Sequence, residues 1–258
     1  MYISTVSKRT DGNTHWLNGS NKVVAYDLPS LVSPTLKWER IQTLDIGGDF
    51  GFFNNELNIS FDWYQRTTKD MLAPGQTMPD VLGAGAPKIN AGTLRTRGWE
   101  LSIDWRHHFN EVNVYANASI GDFKTVITKW DNDSQLLNEN YSGKVYGDIW
   151  GFETDRYFTK DDFNADGSYK EGIASQKKLE QDGFVYGPGD IKFKDLNNDK
   201  EINGGEGTVK DHGDLKVIGN TTPRYQYGFR LGGEWKGIDI DMFFQGVGNV
   251  MHGHNQLS

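Results

Sequence analysis

Oxygen donors at regular spacing make the run Asp195-Leu-Asn197-Asn-Asp199-Lys-Glu201-Ile202-Asn203-Gly-Gly-Glu206 the stretch with the clearest chemistry. Asp195, Asn197 and Asp199 offer side-chain oxygens, Glu201 its carbonyl, Asn203 a water-mediated contact and Glu206 a bidentate carboxylate, the pattern of a Ca2+ loop. Ile202 stands where such a loop anchors itself with an apolar residue, whereas Lys200 replaces the glycine that makes its sharp turn. A solvated acidic loop explains the same residues without an ion, and both readings stay open. The shorter run Asp162-Phe-Asn164-Ala-Asp166-Gly167 has the first half of the pattern but ends on Ile173 where the last carboxylate belongs, so a hairpin or surface turn is the better reading. His107-His108 and the pair His252, His254 each offer two imidazoles without a clear third ligand, which is weak support for a metal.

Six further carboxylates, Asp62, Glu100, Asp104, Glu234, Asp239 and Asp241, raise the question of glycoside hydrolysis, which needs two of them across a bound sugar. They recur with period two beside apolar residues, and a hydrated wall accounts for all six without catalysis. No G-x-S-x-G elbow, H-E-x-x-H helix or phosphate-binding glycine loop stands in supporting context, so no enzyme activity is expected.

The elements that carry these residues alternate strictly. Leu44, Ile46, Phe50 and Phe52 share one face of a strand over residues 41–53, with Asp45, Gly47, Asp49 and Gly51 on the other. Asn54-Asn55 then closes a tight hairpin, because Asn tolerates positive φ. The return strand sets Leu57, Ile59, Phe61 and Trp63 against Asn58, Ser60, Asp62 and Tyr64. Residues 68–93, rich in Gly, Ala and Pro, read as a loop without a strand of its own. A third strand alternates Trp99, Leu101, Ile103 and Trp105 with Glu100, Ser102, Asp104 and Arg106. After a short turn near residues 108–110, a fourth places Val112, Val114, Ala116, Ala118 and Ile120 on one face. About a hundred residues without sustained alternation precede the last two strands. Tyr225, Tyr227, Phe229, Leu231 and Trp235, then Ile238, Ile240, Met242 and Phe244, form their apolar sides. These last faces run for roughly ten residues, beyond the ~5–6 of ordinary strands and close to the ~9–11 of a tilted membrane-crossing strand.

Connections are short, long, short, long, short, so every tight turn falls at one end of the sheet. That asymmetry is the outer-membrane barrel pattern, and Phe52, Phe53, Trp105, Phe109 and Trp235 suit an interfacial girdle. Composition agrees. A hydrophobic fraction of 36% and a mean hydropathy of -0.64 exclude a transmembrane helix but not a barrel, whose strands are only half apolar. A net charge of -8 without a basic patch argues against nucleic acid, and zero cysteines exclude disulfides and thiolate chemistry. The first residues lack a secretory signal, so the chain is expected to be the back portion of a longer precursor.

The run PGDIKFKDLNND, the later IGNTTPRYQYG and EWKGIDIDMFFQGVG, and upstream LKWE, DWYQRTTKDML and RTRGWELSIDW resemble, in this order, the C-terminal part of SusC/RagA-type TonB-dependent outer-membrane proteins. The similarity covers most of the chain from about Leu36 onward. It implies an active importer of oligosaccharides or peptides in the cell outer membrane of a Gram-negative bacterium, with a barrel of about twenty-two strands. It also implies a SusD-like surface lipoprotein over the extracellular loops and energy delivered by TonB through a plug region. The expected fold is therefore all-β, an antiparallel transmembrane β-barrel segment, incomplete, with long extracellular loops. Residues 1–40 are a strand end and outer loop, 41–121 two hairpins, 122–222 a long extracellular loop region and 223–248 a last hairpin, with the plug domain absent. The competing reading is a soluble or surface-anchored calcium-dependent β-sandwich that binds glycans.

Overall fold

The structure, a computed structural model, describes residues 17–18, 21–22, 26, 31, 33–75 and 86–248. The strand end expected at the start of residues 1–40, much of the outer loop expected after it and the pair His252, His254 lie outside the described residues. Twelve strands are present among those described. A short pair, β1 (Leu17–Asn18) and β2 (Asn21–Lys22), comes first. Six long strands follow the alternating sequence: β3 (Arg40–Phe52), β4 (Leu57–Pro74), β5 (Lys88–Phe109), β6 (Val112–Lys129), β11 (Arg224–Trp235) and β12 (Ile238–Gly248). Four short strands, β7 (Asp148–Phe152), β8 (Thr154–Tyr157), β9 (Ile191–Phe193) and β10 (Leu215–Asn220), lie between β6 and β11.

The long strands form one antiparallel sheet in the order β12-β11-β6-β5-β4-β3, an up-and-down meander in which, among the described residues, β3 and β12 each pair on one side only. Register holds the apolar face together across all six. Phe50 opposes Ile59, Ile59 opposes Ile103, Ile103 opposes Ala118, Ala118 opposes Phe229 and Phe229 opposes Phe244. Because side chains alternate with period two, that one row fixes every other row to its face. Among the described residues no second layer covers it: Ile46 and Ile240 are each 61% exposed. A sandwich would bury them, so the β-sandwich reading is overturned.

Several boundaries move outward from the sequence reading. Both ends of the loop expected over residues 68–93 are strand, since Thr68 opposes Leu94, Met71 opposes Gly92 and Ala73 opposes Ile89. β6 likewise runs on to Lys129, so the excursion expected from residue 122 begins at Trp130. The reason is common to both. Beyond the apolar band, polar and apolar residues mix on both faces, as in Thr68-Lys-Asp-Met-Leu72 and Lys124-Thr-Val-Ile-Thr128, so hydropathy loses its period while the backbone ladder continues. Register shifts between Thr68 and Leu72, beside Asp70 at φ +58°, further scramble the alternation. The first hairpin also differs in detail, joining its strands through residues 53–56, with Phe53, Asn54 and Asn55 all at positive φ. The other two tight turns are the two-residue links 110–111 and 236–237, where Asn110, Lys236 and Gly237 take positive φ as hairpin turns require.

The excursion from Trp130 to the start of β11 is built differently. β7 pairs with β10 and β8 with β9, and two single 3-10 turns, Lys160–Asp162 and Lys177–Leu179, complete it. Here apolar residues are enclosed. Phe158 is 2% exposed and meets the rings of Phe163 and Tyr169 at 5.1 and 5.7 Å, while Ile202 and Leu137 are buried in the same region. This small water-excluding core lets a chain segment with few hydrogen-bonded strands hold a shape.

Candidate functional site

The apolar face of the wall ends in aromatic rows. On β5, Trp99 and Phe109 share that face ten residues apart, about 33 Å along the strand at ~3.3 Å per residue. At the ~40° tilt of membrane barrels this is about 25 Å of height, the thickness of an outer-membrane apolar band. Trp63 opposes Trp99 at one limit, and Phe109, Val112, Trp235 and Ile238 oppose one another in series at the tight-turn limit. His107 lies on this face between Trp105 and Phe109, with Nδ1 2.6 Å from Glu56. His108 turns to the opposite face, 2.5 Å from Asn113, so the adjacent pair does not converge on one ion.

The polar face carries the carboxylates as a ladder. Asp62 opposes Glu100, and Glu234 opposes Asp239. Asp241 is held by Arg230, 2.7 Å from Nε, and by the Tyr115 hydroxyl, while Asp104 accepts from Asn117 and lies 3.3 Å from Arg106. Aromatic rings lie over glycines on the same face. A Cβ on Gly98 would come within 2.5 Å of the Tyr64 ring, and one on Gly228 within 3.8 Å of Phe243. Phe243 breaks the polar alternation of β12, and it is 62% exposed on this face. Ser60, Asp62, Tyr64, Glu100, Ser102 and Gln226 line a polar cleft here of about 380 Å³. Hydroxyls, amides and carboxylates flanked by aromatic surface can bind polar ligands or polypeptide, and no nucleophile and base stand together in it.

In the excursion, the acidic loop closes on itself. Asp195 Oδ2 accepts from the Lys200 amide at 2.9 Å, Asn197 Oδ1 from Asp199, Asp199 Oδ1 from Glu201, and Asn203 Oδ1 from Gly205. Lys200 sits at φ +68°, the left-handed conformation that a glycine at this place would supply. The Asp195 Oδ1 atom is enclosed and has no hydrogen-bond partner. The Glu201 carboxylate turns away to Lys178 at 2.6 Å, and its carbonyl accepts from the Asn203 side chain. Glu206 is exposed, on the segment that leads to the bridge between Leu136 and Thr208. Among the described residues no three His, Asp or Glu side chains gather as a ready metal cluster. The run beginning at Asp162 forms a turn, with Phe163 bridged to Tyr169 and Asp166 accepting from Ser168.

Two polar anchors of the excursion escaped sequence reasoning. Asp214 is fully buried and accepts from the amides of Leu196 at 2.7 Å and Asn203 at 3.0 Å, pinning both ends of the acidic loop. Gln176, equally buried, bridges strand β9 by accepting from the Phe193 amide and donating to the Ile191 carbonyl. Their partners are backbone groups 11 to 18 residues away, which leaves no side-chain pattern to find. Ion pairs add to the frame: Arg156 grips Asp162 through two 2.6 Å hydrogen bonds, and Glu153 lies between Lys194 and Lys216. Those lysines, Lys194 first, hold the Glu153 carboxyl down from an ordinary 4.5 to about 2. Arg156 likewise holds Asp162 well below the usual carboxylate range.

The family model for the TonB dependent receptor-like β-barrel matches residues 7–204. The chain belongs to the TonB-dependent receptor family. Among curated relatives it is 29% identical over 244 residues to TonB-dependent receptor P3 of Formosa agariphila, covering 88% of this chain and 22% of that one. TonB-dependent receptor SusC of Bacteroides thetaiotaomicron is 27% identical over 217 residues, covering 77% and 19%. The chain thus spans about a fifth of the length of these relatives. Of solved structures, the RagAB peptide importer in its open-open state matches with a TM-score of 0.65 at 20% identity, over 96% of this chain and 24% of that one. The RagAB peptide transporter matches with a TM-score of 0.61 at the same identity. This TonB-dependent receptor segment is therefore an antiparallel piece of barrel wall, not closed by the strands described, in an outer-membrane family of transporters and receptors.

Proposed function

We propose that this segment is wall, inner lining and outer loop surface of an outer-membrane active transporter that imports oligosaccharides or peptides, energised by TonB. One observation carries the reading: a single-layer meander with an uncovered apolar face about 25 Å tall, all tight turns at one end and the folded excursion at the other. The polar face looks onto the water-filled interior, and its alternating carboxylates, amides and rings act as non-covalent lining, without catalysis. The excursion is the surface for a SusD-like lipoprotein and for arriving ligand, since recognition concentrates on loops carried by rigid scaffolds. The match to a RagAB peptide importer and to SusC supports this reading. The test uses the full-length receptor. Cells carrying it are expected to hold it in the outer membrane, to co-purify a SusD-like lipoprotein, and to lose that lipoprotein when residues 130–222 are replaced by a short turn. Recovery of the intact receptor from the soluble fraction would sink the proposal.

A Ca2+ ion in the acidic loop is a second part of the reading, supported by the unpartnered Asp195 Oδ1 and by the left-handed turn at Lys200. Asp195, Asn197, Asp199, the Glu201 carbonyl, Asn203 through a water and Glu206 would hold it, giving a structural clamp on the excursion. Isothermal titration of the full-length receptor at millimolar calcium is expected to show heat that D195N removes. Equal heat from both proteins places calcium elsewhere.

A further inference from the structure

Beyond the Trp63 and Trp99 pair, the outward positions of the wall change character. Gln65 opposes Arg97, Thr67 opposes Arg95, and Arg97 opposes Lys124, all on the face that carries Trp99. Arg97 and Lys124 are exposed and Arg95 is half-buried. The Arg97 Nε donates to Gln65 at 2.7 Å, which steadies the side chain without neutralising it. Nearby carboxylates are already engaged. Asp122, level with Trp99, is gripped through both oxygens by Arg224, and Asp70 by Arg40 at 2.7 Å. Among the described residues, Arg95, Arg97 and Lys124 form no ion pair with a carboxylate.

We propose that Arg95, Arg97 and Lys124 form a binding site for phosphate-bearing lipid headgroups in the leaflet on the excursion side. The proposal rests on the outer-membrane reading above. Height along the wall supports it. Arg97 and Lys124 stand two residues above the Trp99 level, about 7 Å along the strand and about 5 Å in height at the same tilt, and Arg95 about 5 Å higher. The polar headgroup zone occupies roughly 5–8 Å outside the hydrocarbon, which takes in the level of Arg97 and Lys124, with Arg95 just beyond its outer edge. Facing cations on paired strands have Cα atoms about 5 Å apart and repel one another unless an anion lies between them. A phosphate there accepts from both, and guanidinium geometry favours a bidentate contact. Carboxylates dominate the polar face, so the basic cluster is particular to the side that meets lipid.

Native mass spectrometry of the detergent-solubilised full-length receptor tests this with three probes: lipid A, enzymatically dephosphorylated lipid A, and inorganic pyrophosphate. The unaltered receptor is expected to retain lipid A at least about ten-fold more tightly than its dephosphorylated form. The R95Q/R97Q/K124Q variant should weaken lipid A about a hundred-fold, three basic residues having been lost at a charged surface. Equal retention of both lipids, an unaffected triple variant, or pyrophosphate binding as tight as lipid A overturns the proposal. The first and third comparisons need no variant and so stand even where the triple change blocks assembly. A receptor that fractionates with the outer membrane yet shows no phosphate preference sinks this inference alone. One found outside the membrane sinks the transport reading first.

Discussion

Two pairs of isoleucines divide the molecule. Ile46 and Ile240 in the wall are each 61% exposed, whereas Ile127, where β6 meets the excursion, and Ile202 within it have no exposed surface. The side chain is the same and the surrounding medium differs. In the excursion, burial removes apolar surface from water, so packing must be three-dimensional and polar anchors such as Asp214 must be satisfied inside. On the wall, lipid receives the apolar face directly, so a single layer suffices and only the backbone ladder must be complete. One chain therefore satisfies two solvents, and the boundary between them lies near the end of β6.

The sharpest way to break this comparison is to damage one half and read the other. Phe158→Ala should cost about 3–5 kcal/mol within the excursion. It should speed proteolysis between residues 130 and 222, while the heat-modifiable band of the folded barrel on a gel stays unchanged. Loss of that band would show that wall and excursion fold as one unit. Next in size, Ile103→Lys places a charge mid-band and should cost about 2–4 kcal/mol, lowering the assembled fraction in the outer membrane. Its neighbour Ser102→Lys faces water on the other side and should assemble normally; equal effects would remove the two-faced assignment. Asp214→Ala removes the acceptor of the part-buried Leu196 and Asn203 amides, at about 1–3 kcal/mol. Hydrogen exchange should rise over residues 195–203 and not in the wall.

The smallest effect concerns pH. The folded-state pKa of Glu153 is depressed, so its contribution is present above the ordinary value of 4.5 and disappears as pH falls towards about 2. Acidification through that window should loosen the β8–β9 and β7–β10 pairings first. Glu153→Gln should flatten the response, measured by proteolysis of the excursion. A wall that opens before the excursion would reverse the ranking.

The wall was legible because period two persists wherever one face meets lipid, and the residues from Leu44 to Trp63 announce both strand and face. Legibility failed where the apolar band stops. The ladder from Thr68 to Ala73 and the end of β6 mix polar and apolar residues without a period of two, so nothing in hydropathy distinguishes them from loop. Phe243 shows the opposite failure, an aromatic on the polar face that alternation alone assigns to neither role. In the acidic loop, the donor spacing from Asp195 to Asn203 was readable, because local Asx-type hydrogen bonds follow sequence distance. The fixing role of Asp214 was not, because its amide partners are set by the folded path of the chain.

The unpaired sides of β3 and β12 bear on how such a wall is made. Among the described residues each carries a column of amide and carbonyl groups without a strand partner, which in hydrocarbon would cost several kcal/mol for every group left alone. A six-strand sheet is therefore a poor free-standing intermediate in hydrocarbon. Insertion must proceed with neighbouring strands already zipped to it, or with a protein seam that lends them temporarily, so that the sheet enters the bilayer as part of a closing ring.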